Sequence, residues 1–275
     1  MNTERKYTKE EKLCEEIYEK TYKRNDEGRY IVKLPFKTDK PISPDGNTRE
    51  IALNRFIQLE KRFNRQPQLK EKYTEVINEY INMKHIEEVP EKEIYTKKSI
   101  YIPHLAVIRE GKETTSTRVV FDASCKGSNG TSLNDELLLG PVLQGDLRSL
   151  LMRWRMHAVC FVSDIEKMYR MILIAKEDTD FQRILWRNNP NEPLKDLLTV
   201  TFGTASAPYL AVKTLMQLSY DEGDNYPIAS RILQEDFYVD DVLSGCDNVK
   251  EAIAASKELR ELLQQGGLQT KEMVI

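Results

Sequence analysis

The stretch QEDFYVDDVLSG, residues 234–245, sets two adjacent aspartates, Asp240 and Asp241, between apolar residues. Sheet proteins rarely place charge inside an apolar run, so the pair asks for a chemical reason. Short β-branched and aromatic runs flank two residues, the arrangement of a tight hairpin with Asp240 and Asp241 at its tip. Ordinary hairpin turns also accept aspartate, which makes a solvated turn the plain alternative. A third carboxylate argues against it. HAVCFVSD, residues 157–164, is an almost continuous apolar run that ends in Asp164, as a buried strand does when it delivers a polar group at its end. With the two strands as neighbours, three carboxylates converge, and their repulsion calls for bound cations. Hard oxygen ligands favour Mg²⁺, with Mn²⁺ as a substitute. Two such ions about 3.5–4 Å apart stabilise the attacking and leaving oxygens of an in-line phosphoryl displacement, so the chemistry expected is nucleotidyl transfer.

Outward from these residues, the composition sets bounds. The chain has 275 residues, 40% hydrophobic and 31% charged, which fits one large or two smaller packed cores and argues against wholesale disorder. No run approaches the roughly 18–20 apolar residues of a membrane span, and the opening MNTERKYTKEEK lacks the apolar core of a signal peptide. The expected location is intracellular, in a cytoplasmic particle or the nucleus, with no membrane partner. Cys14, Cys125, Cys160 and Cys246 are far apart and His85, His104 and His157 stand alone, so neither a zinc site nor a disulfide framework is indicated. The formal net charge of −3 does not advertise nucleic-acid binding, which must then rest on local patches. One candidate is Arg55 to Lys72, six basic residues against two acidic ones, although a solvated helix face explains it equally well.

Along the chain, the lysine- and glutamate-rich first 48 residues end in the turn-rich KTDKPISPDGN and read as a peripheral connector. Phe56, Leu59 and Phe63, then Leu69, Tyr73, Val76, Ile77 and Tyr80, mark two amphipathic helices broken at Pro67. SIYIPHLAVI and TRVVFD read as strands joined by a hairpin tip at REGKETTS. Asp146 caps a helix carrying Leu147, Leu150, Leu151 and Trp154; RMILIA, FQRILW and LLTVTF are further strands. TASAPYLAVKTLMQLSY, YPIASRILQED and residues 247–264 are helices, the last closed by Gly266 and Gly267. The class is α+β, with a mostly antiparallel sheet holding 158–165 beside 237–243, backed by helices near 204–220 and 247–264.

FYVDD resembles the Y-x-D-D box of reverse transcriptases. Three more blocks stand in the order that family has: SDIEKMYRMIL resembles its first aspartate motif, with Tyr169 five residues after Asp164. TVTFGTASAPYLA is similar to the F-G-x-x-x-A-P block of long-terminal-repeat retroelements, and RVVFDASCKGSNGTSLND to the fingers motif that begins with arginine and ends with asparagine. With RYIVKLPF and IALNRFIQLEKRFNRQPQLKEKYTEVINEYI, the chain resembles Bel-Pao retrotransposon polyproteins from about Arg29 to Ile275.

The resemblance implies a right-hand polymerase: an N-terminal connector over 1–48, fingers over 49–137 and 174–201, and palm over 138–173 and 202–275, with the thumb absent. It implies an RNA-directed DNA polymerase that adds deoxynucleotides to a primer 3′-hydroxyl. Asp164, Asp240 and Asp241 would hold two Mg²⁺ ions, and Tyr169 would exclude a 2′-hydroxyl. Arg118 would grip the triphosphate, with a surface ion pair to Asp122 as its plain alternative. Phe202 and Gly203 would line the nucleotide pocket, and Lys271 would assist the leaving pyrophosphate. Expected partners are RNA or DNA template-primer, dNTPs, and the thumb, RNase H and integrase of a polyprotein; no D-[ST]-G protease motif or Cys/His knuckle is present. The second reading is a catalytically silent or domesticated retroelement domain that binds nucleic acid or a protein. The intact aspartates and Tyr169 weigh against it.

Overall fold

The computed structural model describes residues 6–95, 97–109, 116–199, 203–271 and 274. The chain forms two compact units, each assembled from separated segments: Met1–Lys33, Leu139–Leu173 and Ser206–Ile275 make the first, Leu34–Leu138 and Ile174–Ala205 the second.

At the centre of the first unit, strand Val159–Asp164 runs antiparallel to Asp241–Cys246, whose other edge pairs with Phe237–Tyr238. The free edge of Val159–Asp164 receives the end of the chain: Val162 and Val274 exchange both backbone hydrogen bonds, at 3.0 and 3.1 Å, and Ile165 bridges Thr270. Helix Val249–Gln265 opens on Asn248, whose side chain accepts from the Glu251 amide, and buries Ala252, Ala255, Leu259, Leu262 and Leu263 along one stripe. Its exit needs Gly267, which stands at φ +69 with Arg29 packed where a Cβ would be. Helix Ala207–Glu222 starts with Pro208 in its first turn and buries eight residues, from Tyr209 to Ser219, around most of its circumference.

Within residues 6–33, a helix and a short strand pack into the first unit, where the composition suggested a peripheral connector. Helix Lys9–Thr21 begins in a capping box between Thr8 and Glu11 and buries Cys14 and Tyr18, one turn apart. The Tyr18 hydroxyl meets Thr214 at 3.0 Å, and Glu15 accepts from the Tyr209 hydroxyl at 2.7 Å and from Lys213 at 2.5 Å. Tyr30, buried in strand Tyr30–Val32, donates to Asp221 at 2.5 Å. The charged composition hid an amphipathic helix whose apolar face is only two residues wide.

In the second unit, helices Thr48–Arg65 and Pro67–Asn82 meet at the Pro67 break, with Pro67 at a first-turn position where its missing N–H costs nothing. Their buried faces, Phe56, Phe63, Tyr73 and Ile77 among them, pack into one core with Phe121, Leu133, Ile184 and Trp186. His104 lies within it, accepting or donating at Nδ1 with the Tyr73 hydroxyl at 2.5 Å and bonded through Nε2 to the Leu185 carbonyl at 2.8 Å. Strands His104–Arg109 and Ser116–Phe121 form a two-stranded ladder, and Ile86–Glu88, Lys195–Thr199 and Arg183–Trp186 a three-stranded antiparallel sheet. Pairing is shorter than the apolar runs suggest. SIYIP contributes only a bridge from Tyr101 to Arg183, Phe181 and Gln182 wind into a 3-10 turn, and of RMILIA only Leu173 and Ile174 pair as a strand. The expected tip at REGKETTS falls largely outside the described residues. Among the described residues no helix is long and apolar enough to cross a membrane.

Candidate active site

Register decides which carboxylates meet. Tyr238 pairs with Asp241, so the two turn residues are Val239 and Asp240, and Asp241 is the first residue of its strand, directly opposite Asp164. The expectation that Asp240 and Asp241 both form the tip is therefore corrected by one position. Positive φ falls on Val239 alone of the two turn residues, at +59, the pattern of a type II′ hairpin, whose first central position favours glycine.

That turn brings the Asp240 carboxyl into hydrogen-bonding reach of Asp164. Burial pushes the Asp240 pKa above the ordinary carboxylate value, and the charges of Asp164 and Asp241 push in the same direction. Asp241 itself is exposed, while Asp164 and Asp240 are half-buried. Among the described residues no three His, Cys, Asp or Glu side chains gather into a metal-holding group. Two carboxylates converge, with the third beside them.

The cation at this pair is a lysine. Lys271 lies on the chain end that edges the aspartate strand: its amide donates to the Asp164 carbonyl at 2.9 Å, and the Ser163 hydroxyl donates to the Lys271 carbonyl at 2.9 Å. Its ammonium forms an ion pair with the Asp164 carboxylate. That hydrogen bond raises the Lys271 pKa; burial opposes it, and the charges of Asp164, Glu166 and Asp240 reinforce it.

Tyr169 reaches the same place from the short helix Met168–Met171, which turns off the aspartate strand through Lys167 at φ +53. Its ring is half-buried; burial raises its pKa first and the Asp240 charge second. Arg29 holds that helix, donating to the carbonyls of Met171 at 3.0 Å and Arg170 at 3.1 Å.

Arg118 and Gly203 belong to the second unit. Arg118 is exposed on its strand, across from Val107. Gly203 has φ +95, and a Cβ there would approach the Phe121 carbonyl oxygen to 2.4 Å. Asn134 fixes this loop: its Nδ2 donates to the Gly203 carbonyl at 3.1 Å and to Ser124 Oγ at 2.8 Å, and its Oδ1 accepts from the Ala205 amide at 2.7 Å. Phe202 lies outside the described residues. Arg29, Asn134 and Gln144, whose side chains hydrogen-bond to backbone, carry no period or spacing that marks them in the sequence; Arg29 and Asn134 stand at the edges of the blocks named above, and Gln144 lies outside them.

A solved structure of foamy viral protease–reverse transcriptase in complex with double-stranded DNA is similar to this chain, with TM-score 0.55 and 16% identity over 73% of this chain and 30% of that one. The fold is reverse-transcriptase-like. A selenomethionine-labelled mutant of the prototype foamy virus protein is similar with TM-score 0.54 and 16% identity, over 74% of this chain and 24% of that one. The foamy viral protein in complex with an RNA/DNA hybrid gives TM-score 0.53 and 15% identity, over 74% and 23%. The chain thus spans less than a third of the length of the structures it resembles. No family model and no curated protein matches it.

Proposed function

We propose that this chain is the polymerase portion of a reverse transcriptase, adding deoxynucleotides to a primer 3′-hydroxyl on an RNA or DNA template. The observation that carries the reading is the convergence of Asp164, the last residue of its strand, with Asp240, in the turn that leads into the neighbouring strand, beside Asp241 and close enough to Tyr169 for its charge to act there. Carboxylates that repel one another, one of them already compensated by an ammonium group, form a donor set suited to hard divalent cations. Mg²⁺ held there would supply charge stabilisation at the reacting phosphate.

The chain's own residues divide the remaining work. Asp164 and Asp240 bind and orient the cation, and Asp241 adds negative charge that strengthens the site without deep burial. Tyr169 sets a wall beside Asp240, where a ring favours the smaller deoxyribose. Lys271, held at the strand edge, can place a proton-bearing ammonium group beside the phosphates. Arg118, Phe202 and Gly203 are assigned to the nucleotide by the sequence blocks alone. On this reading the first unit is the palm and the second the fingers. The Bel-Pao grouping, the polyprotein thumb, RNase H and integrase as partners, and a cytoplasmic or nuclear location rest on the same blocks. In the second unit, an open groove of about 630 Å³ lined by Arg65, Gln66, Leu69, Lys72, Ile108 and Thr117 offers a basic track for a nucleic-acid backbone.

The direct test combines Mn²⁺ binding, followed by electron paramagnetic resonance, with Mg²⁺-dependent dNTP incorporation on a primed RNA template. The wild-type chain is expected to bind Mn²⁺, and Asp164→Asn and Asp240→Asn to lose both binding and incorporation. A wild-type chain that holds nucleic acid but neither binds Mn²⁺ nor incorporates nucleotide would establish the silent-domain reading instead.

A further inference from the structure

We infer that Gln144 is a positioning residue that clamps the Val239–Asp240 turn in the backbone conformation that aims Asp240 at Asp164. The inference rests on the proposed role of that aspartate pair. The Gln144 carboxamide makes two hydrogen bonds to the hairpin: Oε1 accepts from the Val239 amide at 3.0 Å, and Nε2 donates to the Phe237 carbonyl at 3.3 Å. One side chain thus offers the hairpin the donor and acceptor that a neighbouring strand would offer.

The turn needs such a partner. Val239 stands at φ +59, where a β-branched side chain is a strained outlier and where a II′ turn favours glycine. Next along the chain, the Asp240 carbonyl accepts from the Ile165 amide at 2.8 Å. Asp240 is therefore held between two fixed points, Gln144 on one side and the end of the aspartate strand on the other. Gln144 is itself anchored, because two residues later Asp146 caps helix Leu147–Trp154 through the Ser149 amide at 3.2 Å.

A plain loop anchor would make the same two bonds, so the test must separate holding a loop from holding a φ angle. Gln144→Met keeps the length and packing of the side chain and deletes both bonds. The clamp predicts faster hydrogen exchange at the Val239 amide and Mn²⁺ binding weakened by about 30-fold if the loss of two ordinary hydrogen bonds is felt in full. It also predicts rescue: Val239→Gly removes the penalty of positive φ, so Gln144→Met/Val239→Gly should recover most of the Mn²⁺ affinity. Gln144→Asn, one methylene shorter, serves as a second variant and should behave like Gln144→Met. Exchange and affinity unchanged from wild type in Gln144→Met, or an affinity loss that Val239→Gly does not restore, would overturn the inference. A wild-type chain that binds no Mn²⁺ counts against the proposed function instead, and the Val239 exchange rate then decides the clamp by itself.

Discussion

Asp240 is destabilised by the neighbours that give it a use. Its carboxylate is half-buried beside Asp164 and Asp241, and this partial burial, with their charges, raises its pKa above the ordinary 3.8. Below 3.8 the group is protonated folded or unfolded; as pH rises through the raised folded value it ionises against its surroundings, and native stability falls. In chelator at neutral pH, Asp240→Asn should therefore melt at or above the wild-type temperature while abolishing Mg²⁺-dependent incorporation; a solvated turn predicts no change in either assay. Tyr169→Ala should raise ribonucleotide use relative to deoxynucleotide use, by roughly 10- to 200-fold if the ring is worth about 1–3 kcal/mol in discrimination. The readout is competitive incorporation, and unchanged selectivity in a folded variant would return Tyr169 to the core. His104 takes its proton at lower pH than an exposed histidine: burial lowers its pKa to about 4 from 6.5, against the Leu185 hydrogen bond. Between those values only the unfolded chain takes the proton, so stability present above pH 6.5 is lost as pH falls toward 4, by about 3 kcal/mol. Its imidazole resonances in the native protein should report a neutral ring down to about pH 4.

At the scale of elements, period and punctuation in the sequence were sufficient where burial is one-sided. The Pro67 break, the Asp146 cap and the closing of the last helix before Gly267 all appear where the residues place them. The hairpin register was not legible to one residue, because Phe237, Tyr238, Val239, Val242 and Leu243 alternate equally well in either register. The positive φ of Val239 chose, and that angle persists only where outside bonds hold it. The loop at Gly203 depends on a similar constraint. Gly203→Ala would force a Cβ toward the Phe121 carbonyl at φ +95 and should cost about 1–3 kcal/mol in chemical denaturation.

For the whole molecule, the first unit draws on three stretches of chain, and the helix at its amino-terminal end is part of its core. Removing residues 1–33 would strip Cys14, Tyr18, Tyr30 and Val32 from that core. At roughly 1.5–3 kcal/mol for each large apolar side chain, the loss rivals the net stability of a domain. Limited proteolysis of the truncated chain should accordingly cut within 139–173 and 206–275 first, leaving 34–138 more resistant. Charge acts at this scale too. On the proposed function, a net charge of −3 would leave nucleic-acid affinity to local surfaces such as the groove beside Arg65 and Lys72. Replacing both by glutamine should weaken template binding uniformly across sequences and make the salt slope less negative by roughly 1.4–1.8, which a titration over NaCl concentration would measure.

What the residues alone determined is the set of elements and the chemistry they offer: apolar runs ending in carboxylates at Asp164 and Asp240, and a tyrosine one short helix further on. These follow from local rules, because strand alternation, helix spacing and capping act between residues close in sequence. Tertiary structure decided the rest. It set Lys271 against Asp164, 107 residues away, by pairing the chain end with a strand edge. It turned a charged amino-terminal segment into core, because Tyr18 and Glu15 find Thr214 and Lys213 only after folding. It also placed the Gln144 carboxamide on a turn 95 residues downstream. Such contacts carry no sequence period, since a hydrogen-bonding side chain that supports backbone needs only to arrive, and folding alone brings it there.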